Sequence, residues 1–276
     1  IPNWKTWEYY TGLQYIWFGH STILLRIEGK NILIDPVFDD ASPIPFAVPR
    51  FQEPPVNLSE LPSIDYVVIS HDHYDHLSRK SIQHFVGSET QFVVPLGLSS
   101  YLIGWGLNHN KITEFDWWEE KNTGNITFAC TPSQHFSGRM GPRGNKTLWA
   151  SWVIQGQNES VYFSGDSGYD IHFKEIGKRY GSFDIAFMED GQYNKIWYMS
   201  HLFPNETIQA HKDVQAKKMQ PIHFGMFQLA VHDWHEPIYE VLRIAKERNI
   251  DVLLPKIGEI VHVNEPLTFD KWYEIP

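Results

Sequence analysis

The stretch Tyr66-Val67-Val68-Ile69-Ser70-His71-Asp72-His73-Tyr74-Asp75-His76 decides how the rest of the chain is read. Its first four residues form an apolar run of the kind that disappears into a sheet. The remainder delivers three imidazoles and two carboxylates to one spot. Crowded carboxylates repel one another, and a desolvated imidazole needs a partner for each nitrogen, so such a cluster persists only where something neutralises it.

Outward from that stretch, apolar runs bounded by turns recur: residues 13–18, 22–27, 31–34, 91–94, 126–130, 148–154, 160–164, 185–188, 221–224 and 252–255. Helical periodicity marks residues 77–85, 173–180, 204–218 and 237–247. The pattern predicts two packed sheets with helices outside, one α/β domain over residues 1–276. Residues 42–62 hold six prolines and little periodicity, which predicts an ordered surface loop near the mouth of a site.

The chain has 276 residues, a formal net charge of -10 and 15% aromatic residues, including 11 tryptophans. Such acidity argues against nucleic acid as a partner, because phosphate binding leans on Lys and Arg clusters. It equally argues against simple electrostatic adhesion to anionic lipid. Cys130 is the only cysteine, expected as a buried core thiol, so thiolate metal sites and intrachain disulfides are excluded. No run of 18 apolar residues occurs. The first residue is Ile1 rather than Met, which leaves room for a targeting segment upstream. The compartment expected is cytoplasmic or the periphery of a membrane.

The chemistry is read from where ionisable residues sit relative to the strands. His71, His73, Asp75 and His76 follow the strand at 66–69; His135 follows the strand at 126–130; Asp166 follows 160–164; His223 closes 221–224. Loops at one edge of a sheet are where a rigid scaffold brings such groups together. Imidazole with carboxylate and no sulfur suits zinc, with iron and manganese as open alternatives. The expected arrangement is one ion on His71, His73 and His135 and a second on Asp75, His76 and His223, bridged by Asp166. Two ions roughly 3.5–4 Å apart activate a shared hydroxide near neutral pH. The second cluster, His232-Asp233-Trp234-His235-Glu236, is expected to be a solvent-facing or cleft-rim loop.

At these residues the sequence resembles the metallo-β-lactamase superfamily, and more narrowly the N-acylphosphatidylethanolamine-hydrolysing phospholipase D family with its bacterial relatives. The similarity runs from about Trp17 to Leu229 and is carried by WFGHST, ELPSIDYVVISHDHYDHL, TPSQHFSG, YFSGDSGY and HKDVQAKKMQPIHFG, among other segments. The resemblance implies an αββα sandwich and a dinuclear zinc site on His71, His73, Asp75, His76, His135, Asp166 and His223. It implies that Asp35 and His20 support the ligands, that His201 lies at the substrate site, and that Asp75, Asp166 and His201 take part in catalysis. It also suggests a homodimer, peripheral membrane contact and a phospholipid substrate.

Two departures stand out. Ser200 replaces the family's glutamine, and Met188-Glu189-Asp190 stands where the family has an apolar Pro-Ile pair. Extra carboxylates near a cleft repel an anionic phosphodiester unless they point away or bind a cation. The alternative substrate is therefore a carboxylic ester, lactone or amide. A further alternative, a non-enzyme stapled by one ion, needs only four ligands where seven are available. Trp117, Trp118, Trp197 and Trp234 are candidates to line an acyl-chain groove.

Overall fold

The computed structural model describes residues 2–44, 46–139 and 144–274; Pro45, within the predicted 42–62 loop, lies outside them. The strands are β1 (Gln14–Trp17), β2 (Ile23–Ile27), β3 (Lys30–Ile34), β4 (Tyr66–Val68), β5 (Gln91–Pro95), β6 (Ile112–Phe115) and β7 (Glu120–Asn122). They continue with β8 (Thr127–Thr131), β9 (Ser151–Gln155), β10 (Ser160–Phe163), β11 (Phe183–Glu189), β12 (Ala216–Ile222) and β13 (Ile260–His262). The helices are α1 (Trp4–Tyr9), α2 (Arg79–Gln83), α3 (Ser99–Gly104), α4 (His172–Tyr180), α5 (Pro204–Val214) and α6 (Glu236–Arg248).

Two sheets form, ordered β13-β1-β2-β3-β4-β5-β6 and β12-β11-β10-β9-β8-β7. Each has a parallel portion, β3-β4-β5-β6 in one and β10-β11-β12 in the other. Alternation along the strands explains the layering. Ile32 and Ile34 of β3 and Trp152 and Ile154 of β9 meet in a core between the sheets. Leu33 turns outward to join Trp7, Ile82 and Leu102 from α1, α2 and α3. On the other side Val153 joins Phe173, Ile208 and Val241 from α4, α5 and α6. Both faces of both sheets are thus buried, at roughly 1.5–3 kcal/mol for each large apolar side chain removed from water. The αββα arrangement predicted from the pattern is the one observed, and Cys130 sits in the central core.

Several segments differ from the sequence reading. The helix predicted over 204–218 stops at Val214, because Gln215 turns left-handed (φ 63°) and its N–H caps on the Lys212 carbonyl. Ala216 to Lys218 then open β12. The run 252–255 makes only an isolated bridge from Val252 to Met219 rather than a strand. The strand β7 carries no apolar periodicity, since all three of its residues are exposed. The short helices α1 and α3 have too few residues to show a periodic signal. The proline-rich loop packs through Val48 against Met226 and Phe227, just past His223. Among the described residues no helix is long and apolar enough to cross a membrane.

Candidate metal centre

The parallel strands deliver the chemistry from their C-terminal ends. Asp35 follows β3 and the 70–76 segment follows β4; Asp166 follows β10, Glu189 ends β11 and His223 follows β12. The 70–76 segment is a turn rather than extended chain leading into a helix. The His76 and Leu77 N–H groups both return to the His73 carbonyl, and α2 begins only after the Ser78 cap. Gly165 allows Asp166 to approach: at φ +56°, a Cβ there would lie 2.7 Å from the Ala150 carbonyl and 3.1 Å from the Ser70 side chain. His20 and His223, both at positive φ, join the sheets through His223 N–H to the His20 carbonyl (2.9 Å) and His20 N–H to the Phe224 carbonyl (3.3 Å).

All seven residues predicted to hold metal are brought together. His71 Nε2 and His135 Nε2 lie 2.9 and 3.2 Å from His73 Nδ1, and 3.8 and 3.7 Å from Asp166 Oδ2. On the other side of Asp166, His76 Nε2 lies 3.1 Å from its Oδ1 and His223 Nε2 3.0 Å from its Oδ2. Asp75 Oδ2 completes that group at 3.3 and 3.4 Å from the same two nitrogens. His20 Nε2 joins it, 2.8 Å from Asp75 Oδ2.

The donor atoms of these groups fit metal coordination. Ligands bound tetrahedrally at about 2.0–2.1 Å stand roughly 3.3 Å apart, which is the spacing found in both groups. The outer ring nitrogens are already engaged. His135 Nδ1 donates to the Ser200 carbonyl (3.0 Å), leaving a lone pair on Nε2, and His76 Nδ1 faces Asp35 at 2.7 Å. Asp35 also accepts from the Ser70 N–H at 2.7 Å and the Ser70 hydroxyl at 2.6 Å, so it locks the ligand turn as expected. The inward atoms His76 Nε2, His223 Nε2 and Asp166 Oδ1 are buried without a hydrogen-bond partner. Such orphaned polar atoms are costly unless a cation engages them.

The electrostatics point the same way. Burial pushes the His71 and His135 imidazoles well below their ordinary range and His20 down to about 3. Burial also opposes charge at His76 and His223, but Asp166 outweighs it, holding His76 well above the imidazole range and lifting His223 to about 10. At Asp75 and Asp166 burial is overcome by the neighbouring imidazoles, so both stay ionised far into acid. Protons on His76 and His223 balance the carboxylates, and a divalent cation would displace them.

A cavity of about 290 Å³ opens onto the cluster, lined by His73, Asp75, Asp166, His201 and His223, by Gln192 and Ser200, and by apolar Phe136, Trp197 and Leu229. Of the four tryptophans proposed for an apolar groove, only Trp197 lines it. Trp117 donates to the Trp149 carbonyl, Trp118 packs on the outer core beneath α4, and Trp234 stacks on Trp272 beside a separate hollow. That hollow is larger, about 480 Å³, yet holds none of the metal-ligating groups. Sequence reading missed Gln192, whose side-chain oxygen accepts from the Leu229 and Ala230 N–H groups and anchors that wall. It also misjudged the two extra carboxylates. Neither lines the cavity; Glu189 accepts from the Ser167 N–H (2.6 Å) and pairs with His201, while burial pushes the Asp190 carboxyl well above the carboxylate range.

The double-sheet frame gathers His/Asp groups at its strand ends, and the comparisons place the chain with metal-dependent hydrolases. Residues 30–224 match the family described as beta-lactamase superfamily domain. The chain belongs to that superfamily. It is 42% identical to an uncharacterised protein of Mycobacterium tuberculosis over 94% of this chain and 71% of that one. It is 37% identical to N-acyl-phosphatidylethanolamine-hydrolyzing phospholipase D 1 of Caenorhabditis elegans, over 82% of this chain and 67% of the worm protein. Among solved structures, a metallo hydrolase from Ignicoccus hospitalis superposes with a TM-score of 0.69 at 19% identity, covering 91% of this chain and 98% of that one.

Proposed function

We propose that the protein is a dinuclear zinc phosphodiesterase that cleaves a phospholipid of the N-acylphosphatidylethanolamine type. The observation that carries this reading is the joining, in one cavity, of the His/Asp cluster with the apolar side chains Phe136, Trp197 and Leu229. A phosphodiester with an acyl tail needs both surfaces. His71, His73 and His135 would hold one ion and Asp75, His76 and His223 the other, with Asp166 shared. Bound there, the ions supply Lewis acidity toward the phosphoryl oxygens and make water a competent nucleophile at neutral pH. Asp35 and the Ser200 carbonyl fix the ligand rings, and the apolar wall excludes bulk water. Neither Glu189 nor Asp190 lines the cavity, and the Glu189 carboxylate faces His201 and His223 rather than the open space a phosphodiester would occupy.

The test is a phospholipid panel with products read by mass spectrometry, beside bis(p-nitrophenyl) phosphate and simple carboxylic esters. Release of phosphatidic acid and loss of turnover on chelation are expected. Turnover of carboxylic esters or lactones with none of either phosphodiester overturns the assignment.

A further inference from the structure

Glu189 ends β11 between the strands that carry Asp166 and His223, and it is fully buried, with no Lys or Arg among the described residues paired to it. Its Oε2 accepts from the Ser167 N–H at 2.6 Å, and its Oε1 accepts from His201 Nδ1. His201 lines the cavity beside Asp75, Asp166 and His223. With Nδ1 committed to Glu189, the remaining ring nitrogen, Nε2, is the one free for a substrate.

We propose that Glu189 is a positioning residue that holds His201 as the proton donor to the leaving group. This rests on the hydrolase reading above. As the bond to the leaving oxygen breaks, its electron pair stays on that oxygen, which takes the proton from His201 Nε2. The proton given up by the attacking water restores the imidazolium, so the cycle balances without another reactant. Glu189 keeps the ring in one orientation and balances its charge throughout.

The test compares two leaving groups in the metal-loaded enzyme. Bis(p-nitrophenyl) phosphate releases a stable phenolate, which gains little from a proton donor, whereas N-acylphosphatidylethanolamine releases an alkoxide, which needs one. Glu189→Gln keeps the shape and an acceptor for Ser167 but presents an amide to Nδ1. It is expected to lower kcat on the lipid by about 10²-fold or more, the scale of general acid catalysis, and at least tenfold less on the aryl diester. His201→Asn should reproduce the pattern, and the double variant should fall no further than His201→Asn alone. His201 is a cavity-wall residue, so that variant keeps the test alive if the buried substitution fails to fold. Equal losses on both substrates, additive losses, or departure of metal from Glu189→Gln overturn the proposal. Failure of the unaltered enzyme on both diesters overturns the phosphodiesterase reading instead.

Discussion

Two clusters in this chain look alike on paper: His71 to His76 and His232 to Glu236 each crowd histidines and carboxylates into a few residues. Their fates differ. The first is buried, and three other strand ends converge on it. In the second, the His232 ring stacks on Tyr193, His235 stands ahead of α6, and Asp233 and Glu236 are exposed. Among the described residues, no group of ligand atoms gathers around it. A metal site is therefore made by convergence from distant segments, and local composition only nominates it.

The largest effect should separate the clusters outright. Asp166→Asn is expected to lower kcat/KM by about 10³-fold or more and to empty the centre, since Asp166 touches both ligand groups. The paired change His232→Ala with His235→Ala should stay within about twofold and keep the full metal content. Kinetics with elemental analysis decide between them, and metal lost from the second variant would erase the contrast.

Next comes the support beneath the first cluster. Asp35→Asn should weaken metal affinity about 10–100-fold, the usual scale for a residue that orients ligands. Competition with a chelator measures it. The same titration should show tighter uptake as pH rises from about 5 to 8, because metal must displace protons that Asp166 and Asp75 hold on His76 and His223. Affinity that falls over this interval would mean that those imidazoles are not ligands.

A smaller effect tests how the two sheets meet at the first cluster. Gly165→Ala places a methyl against the Ala150 carbonyl at a positive φ, which should cost about 1–3 kcal/mol and lower Tm by several degrees. An unchanged Tm would show that the approach is looser than described.

An effect confined to acid pH concerns His211 on α5, a buried imidazole whose Nδ1 has no partner and whose charge no neighbouring carboxylate supports among the described residues. Burial lowers it to about 4, below the 6.5 of an unfolded histidine. The unfolded chain therefore takes up the proton first, and stability is lost as pH falls from about 6.5 toward 4. That term is on the order of 3 kcal/mol at the acid end. His211→Gln should flatten the acid limb of a Tm-against-pH curve, and an equally steep limb would sink this account.

Much of this was legible beforehand because the strands are buried on both faces and read as apolar runs. A ligand placed directly after such a run is easy to see: Asp166 and His223 each sit within three residues of one. His135 was harder, since it stands four positions beyond Thr131, the end of Thr127–Thr131. The partnership of Glu189 with His201 was not legible at all. The two are 12 residues apart on different segments, and only the register of β11 between β10 and β12 brings them together. The end of α5 was misplaced for a local reason, a left-handed Gln215 where glycine would have announced the stop. Three of the four candidate tryptophans lie off the cavity, and bulk and aromaticity alone do not distinguish a core wall from a cavity wall.

The reciprocal amide bonds between His20 and the His223–Phe224 pair fasten the halves of the sandwich at the catalytic end. Shearing one half past the other would break that seam and pull His223 away from Asp75. The frame is thus a poor hinge.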